Sequence, residues 1–318
     1  MPDPVQRQVE QTLLGGERRY NRIQVTETAG VSLDRARRLW MAMGFAEVGD
    51  EDVVFTDGDV DALRVWDSLV ATGIVVLADE ASVARALSLP LSRLADWQAQ
   101  EVLARADDLD AGPDQFAALA EGLLPVIEGL QSYVWRRHLA AATGRALAAG
   151  NHELSTRLSV VGFADIVGYT ATTRHSDTET LSALLEAFEK DASDTIAANH
   201  GRVVKTVGDE VLFVADSAAD AAEIALCLAD PGRTEQGLPT LRVGLAMGQV
   251  LSRFGDVYGS VVNLAARLTA LARPGTVLVD KELADALITN EAYQLRQRRA
   301  TAVRGYHHLR SWSLRRAH

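Results

Sequence analysis

The hydrophobic pattern changes period near residue 155, and this limits the chain to two differently built parts. Before that point, apolar residues recur at helical spacing in Ala- and Leu-rich segments. After it, short Val-rich runs of strand length alternate with helical ones. With 318 residues, the chain is long enough for two domains of ordinary size. Its 47% hydrophobic and 24% charged content suits a folded globular protein, not a disordered one.

In the first part, residues 32–45 predict a helix capped by Ser32 and stopped by Gly44. Residues 55–73 repeat the scheme, with Thr56 or Asp57 as cap and Val60, Leu63, Val65, Trp66 and Leu69 as the apolar stripe. Residues 80–109 predict a helix broken at Leu89–Pro90, where the proline ring clashes with a continuing turn. Residues 112–150 predict a long helical stretch that begins at Pro113 and is kinked or divided at Pro125. Residues 1–150 are thus expected to form an all-helical N-terminal domain.

The second part predicts a buried strand over 159–166 and an amphipathic helix from Thr178 to Ala198, capped by Ser176 or Asp177. A hairpin follows over 201–215 around Gly208–Asp209, then a helix over 217–229, a strand over 241–248 and a helix over 259–272. A short strand at 276–280, a helix from Lys281 to Ile288 and an antiparallel pair at 293–298 and 311–315 complete it. The order β-α-β-β-α-β predicts a ferredoxin-like sheet with helices on one face, so the fold class is α+β.

Charge and composition exclude several roles. A net charge of -11 offers no general attraction to nucleic acid or an anionic membrane. The single cysteine, Cys227, permits no intrachain disulfide; its apolar run predicts burial, and a reducing cytoplasm is the natural compartment. The N-terminus has no apolar signal core, and the apolar stretch at 69–78 is shorter than the about 20 residues a membrane helix needs. The chain is therefore expected to be neither secreted nor membrane-spanning.

Three polar segments of the second part carry chemistry. FADIVGYT (163–170) places Asp165 near a strand end, before a glycine turn that lets backbone N–H groups approach an anion. KTVGDEVLF (205–213) places Asp209 in a hairpin turn. Two carboxylates brought together repel unless a cation sits between them, and Mg²⁺ favours one or two carboxylates with substrate phosphates. GDVYGSVVNLAARLTA (255–270) sets Asn263 and Arg267 four apart on one helix face, beside an apolar stripe of Val262, Leu264, Ala265, Leu268 and Leu271. Each feature alone also has a plain structural reading: Asp209 as a turn former, Asp165 as a strand-end cap, Asn263 and Arg267 as a solvated helix edge, Asp256 as a turn residue.

Taken in order, the segments follow F-x-D-I-x-G-(F/Y)-T, K-x-x-G-D and G-D-x-(F/W/Y)-G-x-x-V-N-x-A-x-R. Over roughly 158–315 the chain resembles the catalytic domain of class III nucleotidyl cyclases. The short step from MGQVLS to GDVYG and the segment ARPGTVLV look most like the soluble actinobacterial branch. The resemblance implies a catalytic domain over 154–318. It implies that Asp165 and Asp209, with the backbone carbonyl of Ile166, hold two Mg²⁺ or Mn²⁺ ions per site. It implies that Lys205 and Asp256 read the base, Asn263 orients the ribose, and Arg267 stabilises the reacting phosphate. Gly168, Tyr169 and Thr170 would form the phosphate loop. The family's closing lysine before glycine is replaced by Arg304, which keeps a phosphate-binding charge. A donating Lys205 and an accepting Asp256 complement adenine and mismatch guanine, so ATP is expected over GTP. The resemblance further implies a homodimer, with each site drawn from both subunits. The alternatives are a guanylyl cyclase and a nucleotide-binding sensor without turnover.

Residues 1–150 resemble the N-terminal regulatory domain of soluble mycobacterial-type cyclases, without sharp motifs. Residues 129–153 are expected to connect it to the catalytic domain. His138 and His152, in or beside this connector, suggest a pH-responsive switch, because histidine ionises near neutrality. AGVSLDRARRLWMAMGF followed by FTDGDVDALR also resembles the helix-turn-helix and wing of small DNA-binding regulators, although acids surround its basic RARR. A pocket among these helices for a small apolar ligand such as a fatty acid is a further alternative.

Overall fold

The computed structural model describes residues 4–108, 113–148, 156–169, 173, 177–303 and 306–317. They divide into two compact units, Met1–Ala146 and Leu147–His318.

The first unit is helical: α1 (Pro4–Leu14), α2 (Arg22–Ala29), α3 (Leu33–Met43), α4 (Asp57–Ala71), α5 (Glu80–Asp108) and α6 (Pro113–Ala148). Local chemistry sets the ends. Asn21 and Gln24 form a capping box ahead of α2, and Thr56 and Asp59 form another ahead of α4. Gly30 and Gly44 close α2 and α3 in the left-handed conformation. Leu39, Trp40, Val60, Leu63 and Trp66 make the core. Val65 of the predicted stripe is instead 58% exposed, because it lies off the seam that Val60, Leu63 and Trp66 bury.

The prolines behave differently from expectation. Helix α5 runs unbroken through Pro90, and α6 is undivided at Pro125. Pro90 is exposed, so water can satisfy the carbonyl one turn earlier that the missing N–H leaves free. The last residues of the predicted connector, 149–153, and with them His152, lie outside the described residues.

The second unit holds a sheet in the order β2-β3-β1-β4-β6-β10-β7. Its strands are β1 (Thr156–Ile166), β2 (Arg202–Val207), β3 (Glu210–Ala215), β4 (Leu241–Arg253), β6 (Val277–Val279), β7 (Tyr293–Gln297) and β10 (Trp312–Arg316). The short β5 (Asp256–Tyr258) pairs with the far end of β4, and β8 (Thr301–Val303) and β9 (Tyr306–Leu309) form a separate hairpin. The order β2-β3-β1-β4 is that of a ferredoxin-like βαββαβ core.

Helices cover both faces, not one. Val160, Ala164 and Ile166 of β1 face α7 (Thr178–Ala198), α8 (Ala218–Leu228) and α10 (Lys281–Leu287) in one core. Val161 and Phe163 face the opposite core, where α9 (Ser260–Leu271) packs through Val261, Ala265 and Leu268. Alternation along the strand makes both cores possible. Gly244 of β4 lets α9 lie directly on the backbone, since a Cβ there would fall 2.2 Å from the Thr269 nitrogen. Cys227 is half-buried, not buried: it sits on the last turn of α8, where the Arg316 guanidinium reaches its Sγ at 3.4 Å.

Candidate active site

Asp165 is the penultimate residue of β1, and its neighbours on both sides bear charge. Glu210 of β3 and Arg242 of β4 stand directly opposite it in the two antiparallel ladders. The Ile166 N–H donates to the Asp209 carbonyl at 3.0 Å, which ties the end of β1 to the β2–β3 turn. That turn has two central residues, with Gly208 at φ 61° supplying the positive φ that the first position of such a hairpin demands. The Asp209 side chain thereby comes within hydrogen-bonding reach of Asp165.

The acids are strained electrostatically. Burial raises the Asp165 carboxyl above the ordinary range; Arg242 opposes this and Asp209 adds to it. Burial, with Asp165 and Asp209 nearby, pushes Glu210 up to about 7. Such a group of hard oxygens calls for a cation. Among the described residues, no three His, Cys, Asp or Glu side chains form a closed metal cage, so a metal here would need ligands from backbone and substrate as well. Ile166 is buried and can offer only its backbone.

Lys205 and Asp256 form the second group. The Lys205 Nζ donates to Asp256 Oδ2 at 2.6 Å, joining β2 to β5. Burial alone would raise Asp256, but the Lys205 ammonium and the Val257 N–H outweigh it and hold the carboxyl low. Asp256 is a strand residue, not part of a turn ahead of α9. It pairs with Arg253 across a tight turn whose central residues, Phe254 and Gly255, both have positive φ. This turn escaped the sequence reading because phenylalanine is not a turn former.

Asn263 and Arg267 lie on α9 but on its outer side. The seam against the sheet is Val261, Ala265, Leu268 and Thr269, while Val262, Leu264 and Leu271 are half-buried at its flanks. Asn263 and Arg267 are exposed, and among the described residues neither finds a hydrogen-bonding or ionic partner. Within the chain, the six residues thus gather as two pairs on the sheet and one pair facing away. Gly168 is exposed at φ 79°, as a tight turn after β1 needs, and Tyr169 packs half-buried against the core. Thr170 and Arg304 lie outside the described residues. Sequence reasoning missed Arg242; its only signal was an arginine two residues before the glycine that admits α9.

The helix-turn-helix reading finds little support. Arg35 of RARR is bound to the buried Glu80, with Nη2–Oε1 at 2.6 Å, and to Asp67; Arg37 pairs with Glu47. Two of the three arginines of this stretch are thus held by acids, while Arg38 is exposed. The same unit does contain a cavity of about 350 Å³ lined by Trp40, Met41, Phe45 and Phe55, with Arg22 and Arg37 at its polar side. Among the described residues, no helix is long and apolar enough to cross a membrane.

Comparison with known proteins follows the same division. Residues 153–316 match the family of adenylate and guanylate cyclase catalytic domains. An adenylate cyclase of Streptomyces coelicolor is 44% identical over 294 residues, covering 90% of this chain and 76% of its own length. One from Glutamicibacter nicotianae is 37% identical over 327 residues, covering 96% and 81%. A pH-sensitive adenylate cyclase of Mycobacterium tuberculosis is 32% identical over 280 residues, covering 83% and 69%. The similarities to the Streptomyces and Glutamicibacter enzymes thus extend into the helical unit.

Proposed function

The chain belongs to the adenylate and guanylate cyclase family and is an adenylate cyclase, and on that premise we propose that it converts ATP to 3′,5′-cyclic AMP and pyrophosphate at sites shared by a homodimer. The observation that carries this reading is the split placement of the six residues. Among the described residues, Asp165 and Asp209 converge with no phosphate-stabilising cation from α9 beside them, while Asn263 and Arg267 point outward without partners. A second copy would bring the outward pair to the acids. Exposed apolar residues on the catalytic unit, Leu251, Phe254 and Tyr258, support such a contact, as do Val126, Leu130 and Trp135 on α6.

Each side chain then has one task. The Lys205 ammonium donates to N1 of adenine and the Asp256 carboxylate accepts from its exocyclic amine. Their mutual bond leaves both with spare capacity, since an ammonium has three protons and a carboxylate about four acceptor sites. Asn263 hydrogen-bonds the ribose and turns its 3′-hydroxyl toward the α-phosphorus. As the 3′-oxygen–phosphorus bond forms and the bond to the bridging oxygen of pyrophosphate breaks, Arg267 stabilises the charge on the α-phosphoryl oxygens. Asp165, Asp209 and the Ile166 carbonyl suit two Mg²⁺ or Mn²⁺ ions, which when bound would acidify the 3′-hydroxyl and screen the leaving pyrophosphate. Gly168 and Arg304 are assigned to the phosphates.

Incubation with ATP or GTP and Mn²⁺ or Mg²⁺ tests the chemistry: cyclic AMP and pyrophosphate are expected from ATP. Nucleotide binding without product at every pH would favour a sensor instead. Mixing Asp165→Ala with Arg267→Ala protein tests the shared site, because each hybrid dimer keeps one intact site; no recovery of activity would refute it.

Control through the helical unit is a further part of the proposal. His138 is exposed on α6, and a relative is a pH-sensitive cyclase. A pH–activity profile unchanged in His138→Gln would remove this role. The cavity beside Trp40 and Phe55 is compatible with a small apolar ligand.

A further inference from the structure

The end of the chain departs from the charge of the rest. Residues 293–318 hold seven of its 32 basic residues, all arginine, and none of its 43 acidic ones. Most of these arginines lie on or beside the β7–β10 pair at one edge of the sheet. Arg316 is tied to Glu223. Arg296, Arg298, Arg299, Arg310 and Arg315 are exposed and join no acid among the described residues. We propose that this edge is a docking site for an acidic, extended segment of another protein, which adds to the sheet as a strand beside β7.

Backbone geometry carries the first half of this. The Arg298 N–H donates to the Ser311 carbonyl at 2.8 Å, and the Ala317 N–H to the Ala292 carbonyl at 2.9 Å. Both bonds continue the register that sets Arg296 against Ser313. Hydrogen-bonded pairs recur at every second residue of an antiparallel ladder. Gln294 and Arg296 therefore turn their N–H and C=O groups to β10, and Leu295 and Gln297 turn theirs away. β7 ends the order of the sheet, so those groups face an open edge. An edge of this kind can take a further strand.

Charge carries the second half. Tyr293, Leu295, Trp312 and Leu314 belong to the core that also holds α7, α8 and α10. The opposite face of the pair therefore presents Gln294 and Arg296 beside Ser313 and Arg315. Among the described residues, neither strand contributes to the core beneath α9, and Gln294, Arg296 and Arg315 are exposed. Alternate residues of an added strand lie as far apart as those of β7, about 6.6–6.8 Å. Acids at every second position would then oppose Gln294, Arg296 and Arg298, and apolar residues between them would extend the row of Tyr293 and Leu295. A second copy of β7 suits the edge poorly, because antiparallel pairing would set arginine beside arginine. Nucleic acid matches the charge, but it has no peptide groups for the edge and is repelled by the net charge of -11.

Titration of the full chain into a fluorescein-labelled peptide of alternating glutamate and valine, followed by fluorescence anisotropy, tests the idea. A Kd of about 10 μM or tighter is expected. Arg296→Glu combined with Arg315→Glu should weaken binding at least about tenfold. Gln297→Pro removes an outward N–H that β10 does not use, and should weaken it at least about fivefold with every charge in place. Melting curves show which variants are folded, and either variant decides if the other does not fold. Unchanged binding by a folded variant overturns the proposal, as does no binding at about 100 μM chain. Tighter binding of a labelled oligothymidylate of the same length would overturn it in favour of a nucleic-acid surface. Loss of self-association in the charge-reversed protein would overturn it in favour of a contact between copies.

Discussion

Each unit of this chain buries a carboxylate, and the two are treated in opposite ways. In the helical unit Glu80 is 5% exposed and is met by Arg35, which bonds both of its oxygens and also holds Asp67. In the mixed-sheet unit Asp280 is 2% exposed and receives backbone N–H groups, from Leu283 at 3.1 Å and Met247 at 3.2 Å. The same contrast recurs at the surface. Arg35 and Arg37 of the helical unit are tied to acids, whereas Arg267 of the sheet unit has no partner among the described residues. Arginines equally prominent in the sequence therefore serve different ends. Arg35 and Arg37 help hold the helical unit together, and Arg267 is left where a ligand is proposed to complete it.

The strongest way to break this contrast is at Glu80. Glu80→Ala would strand the half-desolvated Arg35 with only the exposed Asp67. Loss of one partner of a buried pair costs about 3–5 kcal/mol, so a large fall in the melting temperature of the helical unit is expected. A change below about 1 kcal/mol would mean that the pair is solvent-screened like an ordinary surface bridge.

Arg267 tests the other side. It has no partner among the described residues, so Arg267→Ala should leave the melting temperature unchanged while lowering kcat about 10²–10³-fold, as loss of one oxyanion donor does. Unchanged kcat would remove Arg267 from the site. A large fall in melting temperature would show that it is structural after all.

Asp280 lies between these cases, and its effect has a sign. Burial, with Glu282 nearby, pushes its carboxyl up to about 7, while the Leu283 and Met247 N–H groups act against the rise. Between about pH 4 and pH 7 the folded chain keeps a proton that the unfolded chain has released. Folding is therefore favoured at the acid end of this window, and stability is lost as pH rises through about 7. The loss should be on the order of 2 kcal/mol, and Asp280→Asn should abolish that part of the slope. Melting temperatures of both proteins from pH 5 to 8 give the answer; parallel curves would exclude Asp280 as the source.

How much was legible in the sequence follows the same division between local and distant causes. Gly44, Thr56 and Asp177 announce helix ends because capping is a contact within a few residues. Gly208–Asp209 announces its hairpin for the same reason. Which face α9 buries was not legible, since Val262 and Leu264 are as apolar as Val261, and only Gly244, some twenty residues earlier, decides which side meets the sheet. Pro90 misled because its cost depends on whether water reaches the freed carbonyl. The site residues were recognisable in their segments, but Arg242 was not: its partner Asp165 is 77 positions away, and only the β1–β4 register joins them.

The smallest effect concerns backbone strain, where the units also differ. The helical unit places glycine at its left-handed positions, Gly30 at φ 75° and Gly44 at φ 82°. The sheet unit places Phe254 there, at φ 52°, in the turn that aims Asp256 at Lys205. A side chain of this size in that region costs about 1 kcal/mol or more, and Asn-Gly is the pair the turn prefers. Phe254→Asn should therefore stabilise the hairpin. The gain is offset because Phe254 lies under the Arg253 guanidinium, 4.9 Å from the ring centre, a contact worth roughly 0.5–1 kcal/mol when exposed. In wild-type background the two terms nearly cancel, and the melting temperature should move by about a degree or less. In an Arg253→Ala background the contact is already gone, and the same substitution should raise stability by about 1 kcal/mol. If Phe254→Asn destabilises in both backgrounds, the phenylalanine is held by packing that outweighs its strain, and the turn is no less settled than the glycine caps of the helical unit.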